Sequence, residues 1–332
     1  MSHWQAFLED QGAHIYPDGA ADFPPDDTSP NALCHLGTST LVTVTGPDAI
    51  KFLQGQVTCD LRELTPMRWL RGAQCNLKGR VTTSFAVAQL DQDTLLLRCA
   101  TDLVEPFVKG LEKYAVFSKV TIRPAPDWHV IGVCGINSAE VLAETTGLRT
   151  SEAGGLAINE QALALQHNAE LIEVWVHDNQ AQPLWQQLTS CCSRAPTHCW
   201  LRGQIDAGCA EISAATSELF TPQDLNYPEL GAVSFKKGCY TGQEVVARLH
   251  YKGKLKKHLY PIEFAADTSP APGCELADES GKSRGHLVQA APVQDTLYRG
   301  LAVLPDDESV PLYIGKQPQR ALRLKLPYDI NS

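Results

Sequence analysis

The order in which strand-like and helix-like segments follow one another constrains the fold of this 332-residue chain more than any other feature. Between residues 40 and 125 the order is strand, helix, three strands, helix, strand. The clearest strand is 80–90, where Val81, Thr83, Phe85 and Val87 repeat with the period of two that a strand requires. This order predicts an α+β layout with helices on one side of an antiparallel sheet, and a looser second copy follows at 129–188.

Beyond about residue 250 the helical pattern disappears. Short strand-like runs separated by turns lie near 255–264, 284–289, 297–304, 310–314 and 321–326. Five such runs predict a small antiparallel β-barrel. We therefore expect a Pro- and Asp-rich, poorly structured segment over 1–35, two α+β halves over 36–125 and 126–250, a hinge at 251–257, and the barrel over 251–332.

Composition excludes several classes of protein. The chain has 28 basic and 38 acidic side chains and a net charge of −10, which argues against a uniformly basic nucleic-acid binder. Its longest apolar stretches fall short of the ~20 residues that a membrane helix needs, and its N-terminus lacks a signal-peptide pattern. Eleven scattered cysteines without a Cys-x-x-Cys pair, and ten histidines without a metal-binding spacing, indicate reduced thiols and no metal site. We expect a cytoplasmic protein without membrane contact.

The segment 235–248 holds the strongest chemical signal. Thr241 and Glu244 have the spacing of a capping box at the start of a helix, which places Cys239 just outside the helix N-terminus. The helix dipole and the neighbouring Lys236 and Lys237 favour the thiolate form of such a cysteine. The alternative is a structural cysteine in a tight loop, which is the commoner role of a single cysteine.

The same segment reads Lys237-Gly238-Cys239-Tyr240-x-Gly242-Gln243-Glu244. It resembles the signature of the YgfZ-type folate-binding proteins, which are relatives of the glycine-cleavage T-protein, an aminomethyltransferase. The resemblance spans about residues 36–260. Weaker matches that agree with it in order are Gly46-Pro47-Asp48-Ala49, Phe52-Leu53-Gln54-Gly55-Gln56-Val57-Thr58, Cys75-Asn76-x-Lys78-Gly79-Arg80, Lys113-Tyr114-Ala115-Val116-Phe117-Ser118-Lys119-Val120 and Asp206-Ala207-Gly208.

The resemblance implies a T-protein-like folate-binding fold, in which ferredoxin-like α+β pieces surround a central opening and a C-terminal antiparallel β-barrel lies against them. It also implies tetrahydrofolate or another reduced folate as ligand. The implied role is to assist the assembly or repair of iron–sulfur enzymes, a tRNA methylthiotransferase among them, with effects on tRNA modification. These enzymes would be the partners of the chain.

The resemblance also implies roles for particular residues. Cys239 would be the functional thiol, with Lys237 tuning it. The residues that would shape its surroundings are Gln243, Glu244 and Arg248. Trp200 would stack on the folate and Asp206 would accept hydrogen bonds from the pterin, whereas the alternatives are core packing for Trp200 and a turn position for Asp206.

The chain departs from the T-proteins at the position of an Asp pair, one member of which is essential for methylene transfer. The matching residues here are Thr83 and Ser84, and neither hydroxyl can carry a charge or act as a comparable base. A folate-dependent aminomethyl or one-carbon transferase is therefore only the alternative function. We expect the chain not to act as an aminomethyltransferase.

A basic run stands out in this acidic chain. It comprises Arg248, Lys252, Lys254, Lys256 and Lys257, and no acidic residue interrupts it. Three interpretations remain open: a solvated face, a docking site for a folate polyglutamate tail or an anionic protein, and contact with tRNA phosphates. The last would make the chain a direct tRNA-binding modification factor, which is a further alternative function.

Overall fold

The computed structural model describes residues 2–26, 28–253, 255–315 and 320–330. Its helices are α1 (His3–Asp10), α2 (Ala49–Gln54), α3 (Val104–Glu112), α4 (Ser138–Thr146), α5 (Asp178–Leu188), α6 (Thr197–Asp206) and α7 (Gln243–Lys252). Its strands are β1 (His14–Ile15), β2 (Ala21–Asp22), β3 (Ala32–His35), β4 (Ser39–Thr45), β5 (Leu70–Cys75), β6 (Val81–Asp91), β7 (Thr94–Ala100), β8 (Thr121–Pro124), β9 (Trp128–Cys134), β10 (Leu156–Ile158), β11 (Ala162–Asn168), β12 (Leu171–His177), β13 (Ser193–Ala195), β14 (Lys257–Ala265), β15 (Glu275–Ala277), β16 (Ser283–Gln294), β17 (Leu297–Pro305), β18 (Leu312–Ile314) and β19 (Arg320–Arg323).

The N-terminal segment is folded, so the expectation of a poorly structured stretch over 1–35 is wrong for its described residues. Helix α1 opens with a capping box in which Ser2 and Gln5 each accept a hydrogen bond from the other's backbone N–H. Trp4 and Leu8 are buried on one face of α1, and the Trp4 ring stacks on His129 at 5.1 Å between ring centroids. Burial of these large side chains outweighs the Pro- and Asp-rich composition that suggested disorder.

A six-stranded sheet has the order β10-β11-β12-β9-β3-β13. The β3–β13 pair is parallel and the other neighbours are antiparallel. One face of the sheet packs on α1, α4 and α5 around a core whose largest members include Trp4 and Trp185. This arrangement confirms the second α+β pattern that the sequence predicts.

A five-stranded sheet has the order β5-β6-β7-β4-β8. Its pairings include Val42 opposite Leu97 in β7 and Val44 opposite Ile122 in β8, both antiparallel. The predicted sequence of strand, helix, three strands, helix and strand is confirmed.

A buried ion pair links strands β7 and β12. Arg98 donates two hydrogen bonds to the carboxylate of Glu173, at 2.7 and 2.8 Å. His167 Nε2 lies 2.8 Å from the same carboxylate, and the Trp175 indole N–H also donates to it, at 2.5 Å. Because Glu173 has no exposed surface, these donors must replace all the water that the carboxylate loses on folding.

The C-terminal strands close into a barrel with the order β14-β17-β16-β15-β18-β19. The barrel is as predicted, but it has six strands rather than five. The additional strand is β15, whose three residues are too few to show a period-two pattern. Inward-facing residues such as Leu276, Leu287 and Ala302 are fully buried in its core.

Internal contacts divide the chain into two units, and each unit consists of three segments that are separate in the sequence. The first comprises Met1–Phe52, Leu61–Leu70 and Ala86–Gly203, and the second comprises Leu53–Asp60, Arg71–Phe85 and Gln204–Ser332. This division differs from the predicted boundaries near residues 125 and 250, because contacts between distant segments decide it. None of the described helices combines the length and the hydrophobicity needed to cross a membrane.

Candidate functional site

The loop that precedes α7 is fixed by a buried lysine. The side chain of Lys237 is 6% exposed, and its ammonium group donates hydrogen bonds to the carbonyl oxygens of Val57 and Cys59, both at 2.7 Å. The same ammonium lies 5.2 Å from the centroid of the Tyr240 ring. Three contacts of one ammonium group therefore attach the loop to segment 57–59 and to the Tyr240 ring.

Thr58 forms further hydrogen bonds between segment 57–59 and the chain that leads into the same loop. Its hydroxyl donates to the carbonyl oxygen of Ala232 at 2.6 Å, and its own carbonyl accepts the N–H of Ser234 at 2.9 Å. Thr58 is fully buried. Segment 57–59 thus positions the backbone that leads to Lys237, as well as the Lys237 side chain, before the chain reaches Cys239.

Helix α7 begins without the predicted capping box. Its first residue is Gln243, and the residue before it is Gly242 in the left-handed region, with φ +83° and no side-chain cap. A Cβ atom on Gly242 would lie 2.5 Å from the carbonyl oxygen of Asn76, so only glycine allows this close approach. The expectation that Thr241 and Glu244 cap the helix is therefore wrong, because the chain packs its backbone against the 76–79 turn instead.

Cys239 is the most accessible cysteine of the chain. All eleven cysteines are described and free, and Cys239 alone among them is exposed. By contrast, burial raises the pKa of the Cys75 thiol to about 12 and leaves it protonated at neutral pH. A reagent or a partner in solution therefore reaches Cys239 first.

The other residues predicted to surround Cys239 differ in position. Gln243 Nε2 lies 3.5 Å from the carbonyl oxygen of Gly238 and contacts the loop. Glu244 and Arg248 are exposed on α7, and their side chains make no hydrogen bond or ion pair within the described part of the chain. The recorded contacts of Lys237 are structural, so its tuning of the thiol stays a prediction.

Thr83 and Ser84 are buried where the T-protein resemblance places an acidic pair. They are 2% and 6% exposed, and the Ser84 hydroxyl accepts the N–H of Ile212 at 2.8 Å. A neutral hydroxyl committed to a backbone partner offers neither charge nor a base.

A polar cluster that the sequence analysis missed lies in the second unit. The Glu211 N–H donates to the Gln289 amide oxygen at 3.0 Å, and the Gln204 amide donates to the Glu211 carboxylate at 2.9 Å. Gln204 and Gln289 are buried, and Gln289 Nε2 has no hydrogen-bond partner among the residues described. A buried amide donor without a partner is costly unless a ligand or water completes it. No short motif marks the cluster, because folding alone brings residues 211 and 289 together.

Trp200 and Asp206 both belong to α6, but they point in different directions. A helix has ~3.6 residues per turn, so two side chains six residues apart point in directions that differ by about 120°. Trp200 is 5% exposed, and its indole occupies the space that a Cβ on Gly132 would fill. The Asp206 carboxylate pairs with Arg299 at 3.0 Å. Stacking by Trp200 and pterin recognition by Asp206 therefore stay predictions.

A scan against protein-family models finds no match. The tRNA-modifying protein YgfZ of Yersinia pestis (strain Pestoides F) is 35% identical over 283 residues, which cover 84% of this chain and 86% of that protein. The protein of the same name from Escherichia coli O127:H6 (strain E2348/69 / EPEC) is 32% identical over 321 residues, which cover 93% of this chain and 98% of that protein.

Among solved structures, the glycine cleavage system aminomethyltransferase T from Bartonella henselae superposes with a TM-score of 0.77. It is 16% identical, and the superposition covers 96% of this chain and 94% of that one. This likeness confirms the predicted T-protein-like fold. Identity of 32–35% over most of the chain is the stronger relationship. The chain therefore belongs to the YgfZ family.

Proposed function

We propose that the chain is a tetrahydrofolate-binding accessory protein that supports iron–sulfur enzymes in the cytoplasm and, through them, tRNA modification. Relatives named tRNA-modifying protein YgfZ support the link to tRNA, and the fold shared with an aminomethyltransferase supports the folate ligand. The observation that carries the proposal is the exposed Cys239 on a loop that the buried Lys237 holds in place.

The polar cluster around Glu211 fits a reduced pterin. The edge of a pterin presents N–H donors beside a carbonyl acceptor, and a carboxylate next to an amide donor complements it. Glu211 supplies the carboxylate, and the unpaired Gln289 Nε2 supplies the donor. We propose that these two residues hold the pterin edge, in addition to the roles predicted for Trp200 and Asp206.

Tetrahydrofolate, when bound, would carry a one-carbon unit. The residues of this chain are not equipped to drive the transfer, because Thr83 and Ser84 are neutral and buried where an acid would be required. The proposed role of the folate is therefore that of a bound ligand beside a working thiol. Aminomethyl transfer by the purified chain would contradict this.

The thiol of Cys239 acts on a partner in this proposal. An iron–sulfur cluster is normally held by four thiolates, so a single cysteine cannot hold one by itself. An exposed thiol on a rigid loop can reach a cluster, or the ligands of a cluster, that a client enzyme holds. The partners would be iron–sulfur enzymes such as a tRNA methylthiotransferase.

Calorimetric titration with tetrahydrofolate tests the ligand. We expect the wild-type chain to bind and Gln289→Leu to lose at least about tenfold in affinity. The variant removes, at nearly constant volume, both the buried donor and the oxygen that accepts the Glu211 N–H. The matched control is Gln161→Leu, which changes an exposed glutamine and should bind as the wild type does. Absence of binding by the wild-type chain, or equal affinity for Gln289→Leu in a sample that thermal unfolding shows to be folded, would overturn the proposed site.

A further inference from the structure

A basic and aromatic surface lies around the C-terminal half of α7. We call it the α7 face, and its residues are Phe235, Lys236, Arg248, His250, Tyr251 and Lys252. Arg248, Tyr251 and Lys252 project within about 100° of one another around the helix. Ring contacts connect Tyr251 to His250 and to Phe235, the residue before Lys236. All of them belong to the second unit. None has a place in the folate cluster or in the support of the Cys239 loop, apart from the predicted influence of Lys236 on the thiol and the predicted role of Arg248 near that loop.

The aromatic part of the α7 face is preorganised. The rings of Phe235 and His250 stack with their centroids 3.6 Å apart and their planes within 9°. Tyr251 stands edge-on to His250 at 4.8 Å, yet 67% of Tyr251 is exposed. An exposed aromatic ring held by its neighbours costs little entropy when a flat ligand stacks on it.

The charged part of the α7 face is almost uncompensated. Lys236, Arg248 and Lys252 are exposed, and no ion pair recorded between the described residues includes them. Glu244 is the single acidic residue between positions 235 and 262. In a chain with a net charge of −10, this concentration of positive charge attracts an anionic ligand locally.

The remaining lysines of the basic run contribute less. The carbonyl oxygen of Lys256 accepts the N–H of Asp306, so Lys256 and Lys257 stand beside an acidic segment, 306–308. Lys254 lies outside the described residues. The uncompensated charge is therefore concentrated on α7 and on Lys236.

We propose that the α7 face binds single-stranded RNA, with Tyr251 stacking on a base while Lys236, Arg248 and Lys252 contact phosphates. Anionic charge alone would also suit an acidic peptide or a polyglutamate tail. Polyglutamate and a peptide made of acidic residues have no flat rings, however, and leave the exposed Tyr251 without a counterpart. A nucleic-acid strand uses both the cations and the ring. This inference does not depend on folate binding.

Fluorescence anisotropy with a short labelled single-stranded RNA tests the proposal on the full chain. We expect affinity to fall steeply between about 50 and about 200 mM salt, with a logarithmic slope of about −0.7 for each phosphate contact. The double variant Lys236→Ala/Lys252→Ala should make that slope shallower by about 1.4. Tyr251→Ala should weaken binding at least about fivefold with little change in the slope.

The chain offers matched controls in exposed residues elsewhere. Lys51→Ala/Lys119→Ala removes the same charge, and Tyr114→Ala removes a tyrosine that is 54% exposed, so both should leave RNA binding unchanged. Equal weakening by these controls would show non-specific attraction and overturn the proposal. The proposal would also fail if poly-L-glutamate competed as well as unlabelled RNA while Tyr251→Ala had no effect, because the face would then be an acidic-peptide site. A failed folate titration leaves this test unaffected.

Discussion

The ammonium nitrogen of Lys237 lies 2.7 Å from the carbonyl oxygen of Cys59. A second carbonyl, that of Val57, accepts from the same nitrogen at the same distance. A lysine this deeply buried is normally costly, and here backbone dipoles offset the lost hydration. The contact explains how Cys239, two residues further on, can be exposed on a loop that is held in place.

Replacing Lys237 with methionine should destabilise the chain. The variant keeps most of the side-chain volume but removes the ammonium group that donates to two buried carbonyl groups, at a cost of about 2 kcal/mol or more. Urea denaturation measures this as a lower midpoint. The neighbouring Lys236 is exposed, so Lys236→Met should stay within about 0.5 kcal/mol of the wild type. Equal effects of the two variants would show that the carbonyl contacts contribute nothing.

The close approach at Gly242 can be separated from its backbone conformation. Gly242 and Gly281 both have positive φ, +83° and +79°, but only at Gly242 would a Cβ meet another atom, the Asn76 carbonyl oxygen at 2.5 Å. Both Gly→Ala variants incur the conformational penalty of about 1 kcal/mol or more. Gly242→Ala should lose at least about 1 kcal/mol beyond Gly281→Ala in the free energy of unfolding, because the turn must shift. Matching losses would mean that the α7 start tolerates a side chain.

The stability of the folded chain should depend on the negative charge of Glu173. Burial alone would raise its pKa, but the Arg98 guanidinium and the hydrogen bonds from His167 and Arg98 outweigh burial and hold the pKa well below its usual range. Glu173→Gln removes the carboxylate charge that pairs with the buried Arg98, so we expect a loss of about 3–5 kcal/mol in the free energy of unfolding.

The sign of the pH effect follows from the lowered pKa of Glu173. The ion pair's contribution is complete above the unfolded carboxyl value of about 4.3 and is lost only as pH falls below it. The exposed pair of Lys109 with Glu105 gives the control, and Glu105→Gln should leave the denaturation midpoint unchanged. A Glu173→Gln variant as stable as the wild type would contradict the ion-pair account.

His35 should make stability depend on pH in a higher pH range than Glu173 does. Burial, and secondarily the nearby His129, lowers the His35 pKa to about 3 from its usual 6.5. As pH falls from about 6.5 towards 3, the unfolded chain binds a proton that the folded chain rejects, so stability declines with pH across that window. Neutral His35 also accepts the Trp4 indole N–H at 3.4 Å.

Urea midpoints at pH 7 and pH 5 measure the histidine effect. His35→Asn keeps an acceptor near the Trp4 indole and should narrow the difference between the two midpoints, whatever its own stability at pH 7. His14→Asn changes an exposed histidine and should retain the wild-type difference. If His35→Asn retained that difference as well, the acid sensitivity would arise elsewhere.

Much of the fold could be predicted because the spacing of apolar residues along the chain indicates the strands and helices directly. Val81, Phe85 and Val87 repeat with the strand period, and β6 forms where they do. Helix α1 was missed because its stability comes from the burial of Trp4 against residues more than a hundred positions away, which no local pattern shows. Strand β15 was missed because three residues carry no period.

The candidate site divides in the same way. Cys239 could be singled out because the residues around it are contiguous in sequence. The start of α7 was predicted wrongly, since the Gly242 backbone contact with Asn76 competes with the side-chain cap that Thr241 suggested. The cluster of Gln204, Glu211 and Gln289 had no sequence signal, because only the folded chain brings these residues together.

The most direct test of the central claim measures methylthiolated tRNA in cells that lack their own YgfZ-family protein and express this chain. We predict that Cys239→Ala accumulates normally and binds tetrahydrofolate as the wild type does, yet fails to restore the modification. Cys274→Ala, which alters a partly buried thiol, should restore it fully. Full restoration by Cys239→Ala would contradict the account.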